Sequence, residues 1–268
     1  MSGRIAKGRV LIVAGSDSGG GAGLQADIKT CTALGGYAMT AVTAVTVQNT
    51  LGVSDIHKVP VDVIASQMRA VLGDIGADSV KTGMLHSSQV IEKVAQELAA
   101  TDAQLVLDPV MVAKGGAQLL EDTAVGALKR ELIPRATLVT PNVPEAEALT
   151  GITIENTDDQ IKAGEALLSL GADAALVKGG HMQGDQITDV LVTADGSKLL
   201  CSPRINTNHT HGTGCTLASA IATHLAQGRP LSDAVVRARD YVYQAIQTAP
   251  GFGTGHGPLN HVHTLPED

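Results

Sequence analysis

Short aliphatic runs alternate with longer helical segments along the first two thirds of the chain. The strand-like run 10–14 is followed by the helix-like segment 24–34, which leads into a second strand-like run, 39–48. Strands separated by helices pair in parallel, and a parallel sheet needs helices on both faces. We therefore predict an α/β fold with a mostly parallel central sheet flanked by helices on both faces. Further predicted strands span 53–59, 79–82, 105–107, 138–140 and 174–178, and further predicted helices span 61–72, 89–99, 124–132, 145–149 and 160–168.

The pattern changes after Lys178, where the turn sequence Ala194-Asp195-Gly196 between two strand-like runs predicts a β-hairpin. No linker or composition break divides the chain, so we predict a single domain over residues 1–268. Its tail, about 251–268, is rich in Gly, His and Pro and is predicted to be irregular. The remaining predicted elements are strands at 187–193 and 198–202 and helices at 216–226 and 231–248.

The composition excludes two classes of partner. The formal net charge is −8, whereas general binding to nucleic acid or to anionic membranes needs a basic surface. The 268 residues include no Trp, one Phe and three Tyr, so few aromatic rings are available to stack on bases. We therefore expect neither nucleic acid nor a membrane as a partner.

The cysteines, Cys31, Cys201 and Cys215, are too few and too scattered for a disulfide framework or a structural zinc site. The apolar runs are also too short for a membrane span, and the first residues do not have the pattern of a signal peptide. Both observations predict a cytoplasmic protein.

In open parallel sheets, ligands bind beyond the carboxyl ends of the strands, so polar residues that follow strands are candidate site residues. A glycine-rich loop begins at Gly15, and its residues 21–26 fit the dinucleotide fingerprint G-x-G-x-x-A. That fold needs an acidic residue after the second strand, but the second strand here ends in Gln48-Asn49. A substrate-binding loop is therefore favoured over an NAD site, and a turn capped by Asp17 is the structural alternative.

Other polar positions that follow strands each have a chemical and a structural interpretation. The amide of Gln48 can read a ring that carries an amino group beside a nitrogen, or it can belong to an exposed turn. Asp108 can hold Mg²⁺ or shape the electrostatics at phosphates, or it can be a turn carboxylate. Asn142 and Glu145 have the spacing of a helix capping box, and they can also order water around Mg²⁺. Lys178 can contact phosphate or lie in a solvated loop.

The sequence Thr-His-Gly-Thr-Gly-Cys, 210–215, precedes a predicted helix. Backbone N–H groups at a helix N-terminus attract anions and favour a thiolate, and glycines let a ligand approach closely. Cys215 can thus be a reactive thiolate beside an anion site formed by Gly212 and Gly214. A glycine-rich turn with a small buried cysteine explains the segment equally well. No Walker-type phosphate loop occurs in the sequence, so a nucleotide must be held in another way.

Seven motifs occur in order along the chain: AGSDSGGGAGLQADIKT (14–30), TAVTVQNT (43–50), KTGML (81–85), LDPVM (107–111), TPNVPEA (140–146), KGGH (178–181) and THGTGCT (210–216). In this combination the chain closely resembles the hydroxymethylpyrimidine/phosphomethylpyrimidine kinases of thiamine biosynthesis, a family of the ribokinase superfamily. The resemblance spans about residues 10–225, and the motifs are specific together rather than singly.

The resemblance implies a ribokinase-like fold and ATP-dependent phosphorylation of 4-amino-5-hydroxymethyl-2-methylpyrimidine and then of its monophosphate, with Mg²⁺, in a homodimer. By position, the implied pyrimidine-site residues are Gly15, Asp27, Gln48, Met84 and Val110. The implied nucleotide-binding residues are Lys178, Thr210 and Asp108, and the implied magnesium residues, acting through water, are Asn142 and Glu145. The implied anion hole is Gly212, Thr213 and Gly214, and the implied base is Cys215, where most ribokinase-like enzymes have aspartate.

Two positions depart from the usual pattern of the family, and several alternative functions stay open. His209 stands where relatives often carry Asn or Asp, which makes the local charge sensitive to pH. Thr82 replaces a residue that is commonly apolar.

Pyridoxal kinases share the superfamily, and some share the cysteine. The remaining alternatives are an NAD-dependent oxidoreductase and a ligand-binding regulatory domain without turnover.

Overall fold

The computed structural model describes residues 5–113, 115–121 and 123–265, and these residues form a nine-stranded sheet with helices on both faces. The strands are β1 (Arg9–Asp17), β2 (Tyr37–Asn49), β3 (Gly52–Lys58), β4 (Ser79–Thr82), β5 (Gln104–Leu107), β6 (Leu138–Val139), β7 (Ala174–Val177), β8 (Gln186–Thr193) and β9 (Gly196–Pro203). Their order across the sheet is β3-β2-β1-β4-β5-β6-β7-β8-β9.

The centre of the sheet is parallel and its edges are antiparallel. From β2 to β7, neighbouring strands in this order all pair in parallel. At the edges, β3 pairs antiparallel with β2, β8 with β7, and β9 with β8. The predicted hairpin is confirmed, because Thr193 pairs with Gly196 across Ala194 and Asp195. The predicted mostly parallel central sheet is confirmed as well.

Helices cover both faces of the sheet. They are α1 (Gly23–Ala33), α2 (Val61–Asp74), α3 (Ser88–Leu98), α4 (Ala124–Ala127), α5 (Val143–Thr150), α6 (Thr157–Ser169), α7 (Thr213–Ala226) and α8 (Leu231–Gln247). Successive strand residues point to opposite faces, so a strand covered on both sides needs apolar residues throughout. In β1, Val10 and Ile12 pack with α1, α7 and α8, whereas Leu11 and Val13 pack with α2, α3 and α6.

Most helices differ from their predicted extents by one to three residues, and two of the differences have a clear local cause. The predicted helix 124–132 is α-helical only in α4 and continues as a π-helical turn, Leu128–Leu132, and a 3₁₀ turn, Ile133–Arg135. Pro134 has no N–H to donate, so a regular α-helix cannot continue through it. Helix α7 begins at Thr213, three residues before its predicted start, because Gly212 caps it with a φ of 82° in the left-handed region. This earlier start places Cys215 in the first turn of α7.

Residues 251–265, in the tail predicted to be irregular, contain neither helix nor strand. The tail nevertheless packs against the start of α7. The backbone N–H of His211 donates to the carbonyl of Gly257 at 3.1 Å, and Thr216 Oγ1 lies 3.1 Å from His261 Nε2. Residues 266–268 lie outside the described ranges. Within those ranges, none of the helices is both long and apolar enough to cross a membrane.

Candidate active site

A cavity of about 1470 Å³ lies at the carboxyl ends of the parallel strands. Its wall is built from the ends of β1, β2 and β4 and from the loops after β5, β6 and β7, which is where an open parallel sheet binds its ligands. The predicted site residues in this wall are Gly15, Gln48, Met84, Asp108, Val110, Asn142, Glu145, Lys178, Thr210, Gly212, Thr213, Gly214 and Cys215. Asp27 does not line the cavity.

Lys178 is a largely buried cation that is held against Asp108. Its Nζ lies 3.2 Å from Asp108 Oδ1, and the hydroxyl of Thr140 donates to the same oxygen at 3.3 Å. Burial alone lowers the pKa of Lys178, but Asp108 and Glu145 outweigh burial and raise it above its ordinary value. Lys178 therefore presents a positive charge to the cavity.

The capping box predicted from the N-x-x-E spacing is present at the start of α5. The backbone N–H of Glu145 donates to Asn142 Oδ1, and the backbone N–H of Asn142 donates to Glu145 Oε2, both at 2.9 Å. Burial raises the pKa of Glu145 to about 7; Lys178 opposes this rise and Asp108 adds to it. Two carboxyl groups thus share one lysine, and Glu145 is only partly ionised at neutral pH in the ligand-free protein.

The glycines before Cys215 allow three chain segments to meet. A Cβ at Gly212 would lie 1.9 Å from the carbonyl oxygen of Gly21, so a side chain cannot fit there. A Cβ at Gly214 would lie 3.4 Å from Lys178 Nζ and 3.8 Å from Asp108 Oδ2. The first turn of α7 therefore lies against both the glycine-rich loop and the Lys178–Asp108 pair.

The expectation that the helix N-terminus lowers the pKa of Cys215 is not met. Burial raises the pKa of this thiol to about 11, although Lys81 opposes the rise. Desolvation of the thiolate is a larger effect here than the helix N-terminus, because charge is costly to bury. In the ligand-free protein Cys215 is therefore a protonated thiol at neutral pH.

Asp27 occupies a different place from the one its implied role requires. It has no exposed surface, and its carboxylate accepts hydrogen bonds from Lys81 Nζ at 3.0 and 2.9 Å and from Ser219 Oγ at 2.6 Å. We therefore correct Asp27 from a pyrimidine contact to a buried partner of Lys81. Sequence reasoning missed the role of Lys81. The signal was available, because a lysine within a buried strand needs a counter-charge nearby.

Sequence reasoning also missed His211 and the full role of Asp17. The Asp17 carboxylate accepts hydrogen bonds from the backbone N–H groups of Gly19, Gly21 and Ala22 at 2.8 to 3.0 Å, and it lies 3.0 Å from His211 Nε2. Burial raises the pKa of Asp17, but the hydrogen bonds from His211 and the backbone outweigh burial and lower it. The structural interpretation of Asp17 as the residue that organises this turn is thus confirmed.

Comparison with known proteins fits this geometry. The family model described as phosphomethylpyrimidine kinase matches residues 17–260. The chain belongs to the phosphomethylpyrimidine kinase family. The predicted kinase class is thereby confirmed, and the oxidoreductase and non-catalytic alternatives are set aside.

Curated relatives in the phosphomethylpyrimidine kinase family are similar along most of the chain. The hydroxymethylpyrimidine/phosphomethylpyrimidine kinase of Bacillus subtilis is 49% identical over 255 residues, which cover 94% of this chain and 94% of that protein. The corresponding protein of Haemophilus influenzae is 50% identical over 258 residues, which cover 94% and 96%. A thiamine biosynthesis bifunctional protein of Geobacter sulfurreducens is 52% identical over 257 residues, which cover 96% of this chain but only 52% of that protein. The chain thus spans about half the length of that relative.

Solved structures confirm the ribokinase-like fold of this phosphomethylpyrimidine kinase family member. An ADP complex of Bacillus subtilis pyridoxal kinase superposes with a TM-score of 0.89 at 34% identity, covering 96% of this chain and 98% of that one. Phosphomethylpyrimidine kinase from Clostridium difficile superposes with a TM-score of 0.80 at 42% identity, covering 90% and 100%. The backbone thus superposes better on the pyridoxal kinase, while the sequence is closer to the pyrimidine kinase.

Proposed function

We propose that this chain transfers the γ-phosphoryl group of ATP to 4-amino-5-hydroxymethyl-2-methylpyrimidine and then to the resulting monophosphate. One observation carries the proposal: Gln48, Cys215 and Lys178 line the same cavity. The Gln48 amide can pair with an aminopyrimidine and so bind the ring. Cys215, in its thiolate form, can accept a proton, and the buried cation of Lys178 can neutralise phosphate.

Cys215 is the proposed base for the first phosphorylation. The hydroxymethyl oxygen attacks the γ-phosphorus, the bond to the bridging oxygen of ADP breaks, and the hydroxyl proton passes to the sulfur of Cys215 in its thiolate form. Gly212, Thr213 and Gly214 lie at the N-terminus of α7, where backbone N–H groups of the first turn can stabilise the transferring phosphoryl group. Lys178, with Thr210 and Asp108 nearby in the cavity wall, completes the proposed nucleotide phosphate site.

The pyrimidine site is proposed to lie toward β1, β2 and β4. The amide oxygen of Gln48 lies 3.1 Å from Thr46 Oγ1, whose one hydroxyl hydrogen it shares with the carbonyl oxygen of Ser16 at 2.8 Å. A Cβ at Gly15 would lie 3.1 Å from Met84 Sδ, so glycine at this position leaves room for the methionine beside the ring. Val110 adds apolar surface from the loop after β5.

Magnesium is proposed to bind through water at Asn142 and Glu145. In the described ranges, no group of three or more His, Cys, Asp and Glu side chains is arranged to ligate a metal directly. The carboxyl groups of Glu145 and Asp108 suit a hard divalent cation, whose oxygen ligands include water, and the cation would favour the ionised form of Glu145. Mg²⁺ would neutralise the charge on the ATP phosphates, and Asn142 and Glu145 would orient its water ligands.

A homodimer is the proposed assembly, as the family resemblance implies. At the β2–β3 edge, Val47 is 56% exposed and Leu51 is 70% exposed, which gives a second copy apolar surface to cover. Light scattering coupled to size-exclusion chromatography tests this: a monomeric mass at micromolar concentration would contradict it.

Pyridoxal is the substrate that tests the proposed specificity, because the backbone superposes so well on pyridoxal kinases. ADP release from Mg·ATP is measured with the hydroxymethylpyrimidine, with its monophosphate and with pyridoxal at matched concentrations. We expect a higher kcat/KM for both pyrimidines than for pyridoxal. Faster turnover of pyridoxal, or no turnover of either pyrimidine, would contradict the proposal.

A further inference from the structure

Lys81 is a charged side chain without solvent exposure at the wall of the cavity. It belongs to β4, whose four residues are all buried. Its partner Asp27 comes from α1 and is equally buried, and Ser219 on α7 donates to the same carboxylate. An ion pair assembled from three elements thus lies directly below the active site.

Stability alone does not explain this pair. Burying two charges costs several kcal/mol per ion, and apolar residues of similar volume often give an equal or more stable protein. Lys81 pairs across the sheet with Ile12 on one side and Val106 on the other, so aliphatic side chains fill equivalent positions in the adjoining strands. An ion pair at a strand position that borders the cavity points to a role in the site.

Ser219, which donates to the Asp27 carboxylate, lies one helical turn from the proposed base. Ser219 follows Cys215 by four residues on α7, so their side chains share one face of the helix. The backbone N–H of Gly23 also donates toward the thiol. The charged groups that act on Cys215 are Lys81 on β4, Asp27 on α1, Asp108 after β5 and Lys178 after β7. The two lysines favour a thiolate and the two carboxylates oppose it.

We infer that Lys81 is a positioning residue that stabilises the thiolate form of Cys215, and that Asp27 limits how much of the Lys81 charge acts on the thiol. An ammonium has three N–H donors. The two oxygens of Asp27 can take two of them, and the third remains at the cavity wall. A cation is most effective on a nearby thiolate where water is excluded. The inference rests on the proposed function of Cys215 as the base, since Lys81 acts through it.

Two substitutions change the charge near Cys215 in opposite directions. Lys81→Met removes the cation, and Asp27→Asn leaves the cation without its counter-charge. In a Cys31→Ala, Cys201→Ala background, Cys215 is the single thiol, and its alkylation by iodoacetamide reports the fraction of thiolate. At a fixed pH near 8, we expect alkylation to be about tenfold slower in Lys81→Met and about tenfold faster in Asp27→Asn, which corresponds to a shift of about one pH unit in each direction.

Ser79→Ala is the matched control. It removes another buried hydrogen bond between β4 and α7, from Ser79 Oγ to the carbonyl of Ala222 at 2.8 Å, without changing charge. Alkylation should stay at the parental rate in this control. Shifts in the same direction for Lys81→Met and Asp27→Asn, or shifts no larger than that of Ser79→Ala, would overturn the inference. If Lys81→Met does not fold, Asp27→Asn decides alone, because slower or unchanged alkylation in that variant also overturns it.

Activity measurements separate this inference from the proposed function. Alkylation is measured without substrates, so it tests Lys81 and Cys215 whether or not Cys215 is the base. If Cys215 is the base, the rising limb of kcat against pH moves to higher pH in Lys81→Met and to lower pH in Asp27→Asn. Opposite alkylation shifts with an unmoved rising limb would support the effect of Lys81 on the thiol and contradict Cys215 as the base.

Discussion

The side-chain nitrogen of Gln48 lies 3.3 Å from Nε2 of His211, and that same imidazole nitrogen lies 3.0 Å from Asp17 Oδ2. A carboxylate only accepts, so an imidazole that donates to Asp17 has no lone pair at Nε2 for Gln48. The 3.3 Å contact between Gln48 and His211 is then not a hydrogen bond, so the amide nitrogen of Gln48 has no acceptor in His211 and can donate to a ring nitrogen of the ligand. Before the substrate binds, the polar contact that orients the Gln48 amide is therefore the one between its oxygen and Thr46 Oγ1, and not a hydrogen bond to His211.

Gln48→Ala should raise KM for the hydroxymethylpyrimidine far more than KM for ATP, because the amide is proposed to contact the ring alone. Loss of the paired hydrogen bonds should raise it on the order of 10- to 100-fold. Gln186→Ala removes an exposed amide outside the cavity wall and serves as the control in the same steady-state assay. An equal rise in both KM values would show that Gln48 does not read the pyrimidine.

Asp17→Ala should destabilise the protein, since it leaves the N–H groups of Gly19, Gly21 and Ala22 without their acceptor. The expected loss is on the order of 1–3 kcal/mol, measured by urea unfolding, and Asp17→Asn should lose less because its amide oxygen still accepts. The pKa of Asp17 is lowered from 3.8, so its contribution is present above pH 3.8 and is lost as the pH falls through the folded value. Wild-type stability in Asp17→Ala at pH 7 would refute this role.

Glu145→Gln should raise the Mg²⁺ concentration needed for half-maximal activity, because it keeps an acceptor for the helix cap but removes the charge. Glu147→Gln is the matched control on the same helix, since the Glu147 side chain accepts from Ile154 N and does not line the cavity. A Mg²⁺ titration of initial rates compares the two. If Glu145→Gln lowers the melting temperature and leaves the Mg²⁺ requirement unchanged, Glu145 is only a cap.

The sequence predicted what depends on local pattern. Aliphatic runs placed the strands, and the N-x-x-E spacing of Asn142 and Glu145 placed the cap, because both signals come from neighbours in the chain. Sequence-based prediction failed for properties that depend on contacts between residues far apart in the chain. The burial that raises the pKa of Cys215 comes from the meeting of α7 with the loop before α1 and the strand ends, and the partner of Lys81 is 54 residues away. Single-sequence reasoning cannot place such contacts.

The two proposed phosphorylations should depend on Cys215 to different extents. The first acceptor is a hydroxyl that must lose its proton, whereas a phosphate monoester is largely deprotonated at neutral pH, with a second pKa of about 6. Cys215→Ala should therefore reduce kcat for the hydroxymethylpyrimidine more than kcat for its monophosphate. Single-turnover rates with each substrate at pH 8 make the comparison, and equal losses would contradict proton transfer as the role of the thiol.

The kcat of Cys215→Ala with the hydroxymethylpyrimidine tests the central claim most directly. The folded variant should lose roughly 10²- to 10⁴-fold in kcat, the usual contribution of a general base, with little change in KM for ATP. Cys215→Asp should recover part of the loss, and Cys31→Ala and Cys201→Ala should stay near wild type. In the wild type, kcat should rise with pH, because burial raises the pKa of Cys215 to about 11 and only the thiolate accepts a proton. A wild-type kcat in Cys215→Ala, measured where chemistry limits the rate, would contradict the account.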